Sequence, residues 1–215
     1  MDDIFPQVAF TLFGIPVRDT VVSTWAMMAL IVVVAAIVGR RRPMALEMLA
    51  DFLNDLVSSV MNRPAATYLP FLGAMAIFIA AANLVGVIPF LVSPTRDINT
   101  PLALALAVFF SVHYFGIRSY GLRGYLKELA SPIYVLPLEI IGQLSRTLSL
   151  TLRLFGNIIS TEMIVAVIFA LVPLLVPLPL VGFSMFTGLL QAYIFTALAA
   201  VYIAAAIKAV ERDEQ

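Results

Sequence analysis

Between about Pro137 and Leu171 the sequence offers no helix stop, and an arginine, Arg153, sits in the middle of that run. At 1.5 Å per residue such a helix is about 50 Å long, well beyond the roughly 30 Å hydrocarbon core of a bilayer. The residues around the arginine, TLSLTLRLFGNIISTEM, otherwise read as membrane core. An arginine at mid-membrane costs roughly 2.5–3.5 kcal/mol to insert, and its guanidinium stays charged, so it must find a partner or water. The simplest purpose for such a residue is ion handling.

A membrane setting follows from composition: 62% of the residues are hydrophobic and only 12% charged, whereas charged residues approach a quarter of a soluble globular domain. The chain is therefore expected to live in a lipid bilayer, and a soluble enzyme is excluded. Zero net charge argues against nucleic-acid binding. With no Cys and one His, disulfides, thiolate chemistry and most zinc sites are ruled out, so neither a metal nor a cofactor is expected. Asp2 and Asp3, with no basic residue before the first apolar run, do not look like a cleaved signal peptide.

The expected architecture is all-α: one polytopic domain over residues 1–215, with about five membrane helices and an amphipathic surface helix. Residues 1–20 form an outer N-terminus, 21–38 the first span, 68–91 and 102–117 the next two, and 137–171 and 180–210 a long, tilted, antiparallel pair. The linker between that pair carries Pro173, Pro177 and Pro179, which cannot continue a helix. Residues 43–62 place Glu47, Asp51 and Asp55 at i, i+4, i+8 among apolar neighbours, the pattern of a helix lying on the inner surface or binding a soluble partner. Near the spans, Arg40, Arg41, Arg42, Arg63, Arg118, Arg123 and Lys127 fall on one side and only Arg18 and Arg96 on the other. Positive charge stays inside, so the N-terminus is expected outside and the C-terminus in the cytoplasm. The segment from Arg118 to Lys127 reads as a basic loop.

On a wheel of about 100° per residue, Glu139, Gln143, Arg146, Ser149, Arg153, Asn157 and Ser160 share a sector about 120° wide. Glu162 lies about 180° from Arg153 and about 13.5 Å further along the axis, so the two do not pair. Glu139 and Arg146, two turns apart, could share a water-bridged network but are not close neighbours. Ser184, Thr187, Gly188, Gln191 and Tyr202 give the last helix a matching polar seam, and two facing seams make a wet path. A polar stripe that only holds helices together is the plainer alternative, weakest for Arg153, which has no acid at i±3 or i±4. His113, near the inner end of the third span, reads as an interfacial residue bonded to backbone or headgroups.

The runs LEIIGQLSRTLSLTLRLFGNIISTEMI and LLQAYIFTALAAVYI closely resemble the subunit a family of F-type ATP synthases, and NLVGVIP and INTPLALALAVF resemble its earlier spans. The resemblance implies the stator subunit that abuts a ring of c subunits, held with peripheral-stalk b subunits in a bacterial cell membrane and most simply carrying protons. It implies Arg153 as the essential arginine facing the ring carboxylate, flanked by Asn157 and Gln191. Glu162 would line the half-channel open to the outside, with Asp97 and Asn99 at its mouth. Glu139 and Ser145 would belong to the inner half-channel, and Ser149 to the ion path. The family's second titratable residue on the last helix is missing here, where Ser184, Met185 and Thr187 stand. The chain also resembles a smaller branch of the family to which sodium transport is ascribed. A self-contained transporter or channel is the rival reading, but such folds show inverted repeats that are not detectable here.

Overall fold

The computed structural model of the protein describes residues 8–12, 15–86, 92–129, 136–172 and 177–211. Strands β1 (Val8–Leu12) and β2 (Ile15–Arg18) pair as an antiparallel hairpin with Leu12 opposite Ile15. Everything else regular is helical: α1 (Asp19–Arg41), α2 (Pro43–Met61), α3 (Leu69–Val85), α4 (Asn99–Leu129), α5 (Leu136–Leu171) and α6 (Pro177–Glu211), with 3-10 turns at Ala65–Thr67 and Pro94–Arg96. Among the described residues four helices are long and apolar enough to cross a membrane, namely α1, residues 99–119 of α4, α5 and residues 178–207 of α6, and the 17-residue α3 is a shorter apolar helix. The all-α membrane architecture expected from composition is what forms. The hairpin adds a short β element to the segment before the first span.

Several boundaries differ from the sequence expectation: the helix of the expected 68–91 span ends at Val85, and residues 87–91 lie outside the described ones. The basic segment after the third span is helical, not a loop: α4 continues to Leu129 with a break at Gly121, whose φ of +74° only glycine adopts without strain. The break folds the chain back, so Tyr125 lies on Gly116 and 5.9 Å from the His113 ring. Pro177 and Pro179 do not separate the long helices but open α6, because a proline in the first turn forfeits an N–H that has no intrahelical acceptor anyway.

The long helix α6 is central and touches α2, α3, α4 and α5. Its Phe195, Ala199, Ala200, Ile203 and Ile207 are buried with Leu72 and Ile79 of α3, Val108 of α4, and Leu150 and Leu154 of α5. Leu53, Leu56, Val57 and Met61 of α2 are buried, while Glu47, Asp51 and Asp55 are exposed, as its amphipathic spacing requires. Helices α3 and α6 approach closely at Gly188, where a β-carbon would stand 2.9 Å from that of Asn83. Asn83 Nδ2 donates to the Gly188 carbonyl at 2.9 Å, so glycine lets α3 and α6 share one hydrogen bond in the buried interior.

Gly188→Val should force α3 and α6 apart, at about 1–3 kcal/mol by the usual cost of overpacking. A lowered Tm for the detergent-purified complex, or loss of the subunit from membranes, checks this, and an unchanged Tm would contradict it.

Candidate functional site

Arg153 lies on the exposed side of α5, beside exposed Leu152 and in line with exposed Ser145 and Ser149. Among the described residues no hydrogen bond or ion pair reaches it. The buried side of α5 is instead Thr147, Leu150, Thr151, Leu154 and Ile158. The two polar seams therefore do not simply face each other, because the residues that bury best against α6 are the Thr and Leu positions. Their hydroxyls cost little there, since Thr147 and Thr151 each donate to the backbone carbonyl four residues back, at 3.0 and 2.9 Å.

The helices have two distinct ends. Arg18, Asp97, Arg96 and Glu162 come together at the one carrying the hairpin. At the other, basic end, Gln143 Nε2 donates to Glu139 Oε1 at 3.2 Å, and Arg146 reaches the same carboxylate oxygen at 3.9 Å. The seven-residue separation of Glu139 and Arg146 is thus closed after all, by the length of the arginine stem running back along the helix. The Arg146 guanidinium also sits 5.5 Å over the Tyr202 ring of α6. Gln143, Arg146, Thr147, His113 and Tyr202 line a cavity of about 20 Å³, room for about one water. His113 bonds the Phe109 carbonyl at 2.8 Å, as an interfacial histidine should, yet its ring borders this polar pocket. Burial, and then the nearby Glu139 charge, push the Tyr125 hydroxyl above its usual pKa, so it stays a neutral donor.

At the hairpin end a larger cavity, about 330 Å³, is lined by Asn83, Ser93, Thr161, Glu162 and Ser184 among apolar neighbours. Its rim is a connected network: Ser93 Oγ donates to the Ala82 carbonyl at 2.8 Å, Thr95 Oγ1 donates to Asn83 Oδ1 at 3.0 Å, and the two hydroxyls meet at 2.8 Å. Arg96, next to Thr95, brings its Nε to 3.4 Å from Glu162 Oε2.

Asp97 and Asn99 lie in a separate cavity of about 360 Å³ with Arg18, Thr20 and Thr24. Arg18 donates to Asp97 Oδ2 at 2.8 Å and Thr20 to the same oxygen at 3.4 Å, while the Asn99 backbone N–H and side-chain amide bond Oδ1 at 3.1 and 2.9 Å. Asp97 thereby caps α4 and ties it to α1. Burial alone would raise its pKa, but the Arg18 and Asn99 hydrogen bonds, the Arg18 charge and Thr20 outweigh it, leaving the carboxyl below its ordinary value.

Two contacts set the antiparallel register of α5 and α6: Arg146 over Tyr202, and Glu162 beside Ser184 in one cavity. Interpolating between them puts Arg153 level with about Ile194 and Asn157 level with about Leu190, so Arg153 and Gln191 are about one turn apart along the axis. They do not share a described cavity. Gln191 is buried, and its Nε2 has no hydrogen-bond partner among the described residues.

The family profile described as ATP synthase A chain matches residues 20–204, which takes in Arg153 and the cavities of Arg146 and of Glu162. The chain belongs to the ATP synthase A chain family. Relatives agree along nearly the whole length. ATP synthase subunit a 2 of Bradyrhizobium sp. is 46% identical over 96% of this chain and 98% of its own, and that of Pelobacter propionicus is 41% identical over 95% and 93%. ATP synthase subunit a 1 of Hahella chejuensis is 42% identical over 96% and 92%. As an ATP synthase A chain the protein is a multi-pass membrane component of the F-type complex. Membership also disposes of the self-contained transporter. Among the described residues no three His, Asp or Glu side chains gather as a metal site.

Sequence reasoning missed Arg96 as a partner of Glu162, and Asn83 as the link between α3 and α6. The residues are far apart along the chain, and only the SPTRDINTP loop's density of Ser, Thr and Asp hinted at a structured turn.

Asp97→Asn should lower the Tm of the purified complex at neutral pH, by the equivalent of about 1.5–3 kcal/mol for charge-assisted hydrogen bonds. Because folding depresses the carboxyl, its contribution is present above the unfolded value of 3.8 and is lost as pH falls through the folded one. The Tm gap between wild type and variant should therefore close on acidification below about pH 4, and a gap that stays constant would contradict the capping role.

Proposed function

We propose that this chain is the non-catalytic stator of the rotary motor, offering two offset access paths to the c-ring carboxylates, with Arg153 between them and protons as the cargo. The observation that carries the reading is a permanent charge on the exposed apolar flank of α5, unmatched by any described residue. A flank of that kind calls for a covering surface that brings a carboxylate of its own. The ring supplies one, and peripheral-stalk b subunits and the rest of the complex complete the assembly.

The chemistry follows from elementary electrostatics. A guanidinium favours a neighbouring carboxylate in its ionised form, so a ring carboxylate arriving at Arg153 releases its ion, and one moving on into lipid must first be neutralised. The cavity around Glu162, with Ser184 standing where the family carries a second titratable group, serves as the outer access path. The pocket lined by Gln143 and Arg146, both of which reach the Glu139 carboxylate, leads to the inner one, with Ser145 and Ser149 along the ring-facing side of α5. Asn157 and Gln191 flank the arginine's level, and Asp97 and Asn99 hold the outer mouth in shape. The excess of Arg near the opposite helix ends puts the hairpin outside and the C-terminus in the cytoplasm. Each ion crossing 100 mV yields about 2.3 kcal/mol, so a leak past Arg153 wastes the drive directly.

Arg153→Ala should abolish ion-driven ATP synthesis in a complex that still assembles, and full coupling in that variant would refute the reading. Arg153→Lys, a compact titratable ammonium in place of a delocalised fixed charge, should fall below about a tenth of wild type, or about 1.4 kcal/mol on the limiting step. Near-normal ATP-driven pumping in vesicles would count against it. Glu162→Gln should slow transport severalfold while leaving the complex intact, and unchanged turnover would leave Glu162 a structural residue.

A further inference from the structure

The loop that carries Arg96 is held on both sides. Thr95, fully buried, is bonded to Asn83 and Ser93, and Asp97, also buried, is bonded to Arg18, Thr20 and Asn99. Between these anchors the Arg96 side chain is only 11% exposed and points at Glu162, which keeps 34% exposure on the cavity side. Asn83 of α3, Thr161 of α5, Ser184 of α6 and Ser93 of the loop line the same cavity, and all are neutral. The neighbouring Asp97 is spent on Arg18. Among the described residues that line this cavity Glu162 is the charged one, and Arg96, from a different segment, sets a fixed cation beside it.

We propose that Arg96 is the counter-ion of the outer access path: its guanidinium competes with the entering cation for the Glu162 carboxylate, so that the acid takes up ions and yields them instead of trapping them. This rests on the reading of Glu162 as the access-path acid. Two charges 3.4 Å apart in a partly dehydrated pocket attract strongly, and any cation that binds Glu162, proton or metal, must displace that attraction. A lone buried acid would hold its ion tightly and pass it on slowly. The arrangement fills the place of the missing second titratable group: a permanent charge, which itself carries no proton, keeps the single acid exchangeable. Arg96 is in these terms a positioning residue that acts through Glu162.

The test uses the intact ATP synthase in vesicles, with the ion concentration varied only on the side of the Glu162 cavity, first as protons in sodium-free buffer and then as sodium at fixed pH. Arg96→Gln should lower the half-saturating ion concentration about tenfold, the low end of what an adjacent opposite charge is worth at a partly exposed carboxylate, and should slow the saturated rate. Arg96→Lys should restore both towards wild type. In a Glu162→Gln background Arg96→Gln should add less than about a twofold change, since the acid it acts through is gone. Effects that multiply in the double variant, or a slower rate with unchanged half-saturation, would overturn the proposal while leaving the stator reading intact. If Glu162→Gln alone leaves the ion dependence untouched, the access-path reading fails and this proposal with it. Should Arg96→Gln not assemble, Thr95→Val, which frees the loop from Asn83, must shift half-saturation in the same direction, and no shift would overturn the proposal.

Discussion

A guanidinium that cannot be neutralised, set on an apolar helix flank, dictates much of what surrounds it. Arg153 needs a compensating charge, yet α5 supplies no acid within a turn of it, and among the described residues no other helix does either. Water alone would satisfy the charge at the cost of a continuous leak. A carboxylate that arrives, is ionised and leaves satisfies it without one, which is why a moving partner and a fixed arginine form a natural pair. The proposed reading requires the two pockets to lie on either side of Arg153 along α5: Gln143 and Arg146 fall ten and seven residues before it, and Glu162 nine after it.

Holding such pockets apart requires rigid helices, and α6 provides the rigidity. Its alanine-rich face, Ala192, Ala199, Ala200 and Ala204, permits close packing against neighbours on several sides. Near the hairpin end, where packing alone would leave polar groups stranded, the Gly188–Asn83–Thr95–Ser93 network satisfies them and fixes the loop that carries Arg96. Asp97 performs the matching task towards α1. The cavity at the hairpin end is thus shaped by hydrogen bonds between segments distant in sequence, whereas the basic-end pocket lies between the apolar face of α4 with His113, the polar side chains of α5 and Tyr202 of α6.

Much of the fold was legible because membrane helices announce themselves by length and hydropathy, and the α2 stripe by its spacing. Helix ends were less legible. Gly121 reads as a loop signal, and only the return of Tyr125 to Gly116 makes the segment beyond it a packed helix. Pro177 reads as a breaker and is an opener, because proline's effect depends on whether a turn precedes it. For the candidate site, a helical wheel correctly separates Arg153 from Glu162 but cannot tell which flank of α5 meets α6, since Thr147 and Thr151 bury as readily as leucines once their hydroxyls bond the backbone. Nor can periodicity within one helix find a partner such as Arg96 in a loop before another.

The central claim, two access paths that approach Arg153 from opposite sides and never join, has a direct measurement, helped by a chain without native cysteine. Single cysteines at Thr161, in the Glu162 cavity, and at Gln143, in the pocket with Arg146, are exposed to silver ions added to one face of sealed vesicles bearing the assembled complex, and inhibition of ATP-driven pumping is followed. The account predicts that Thr161→Cys is blocked only from the face bearing the hairpin and Gln143→Cys only from the face bearing the Arg40–Arg42 cluster. Block of both variants from one and the same face would contradict it.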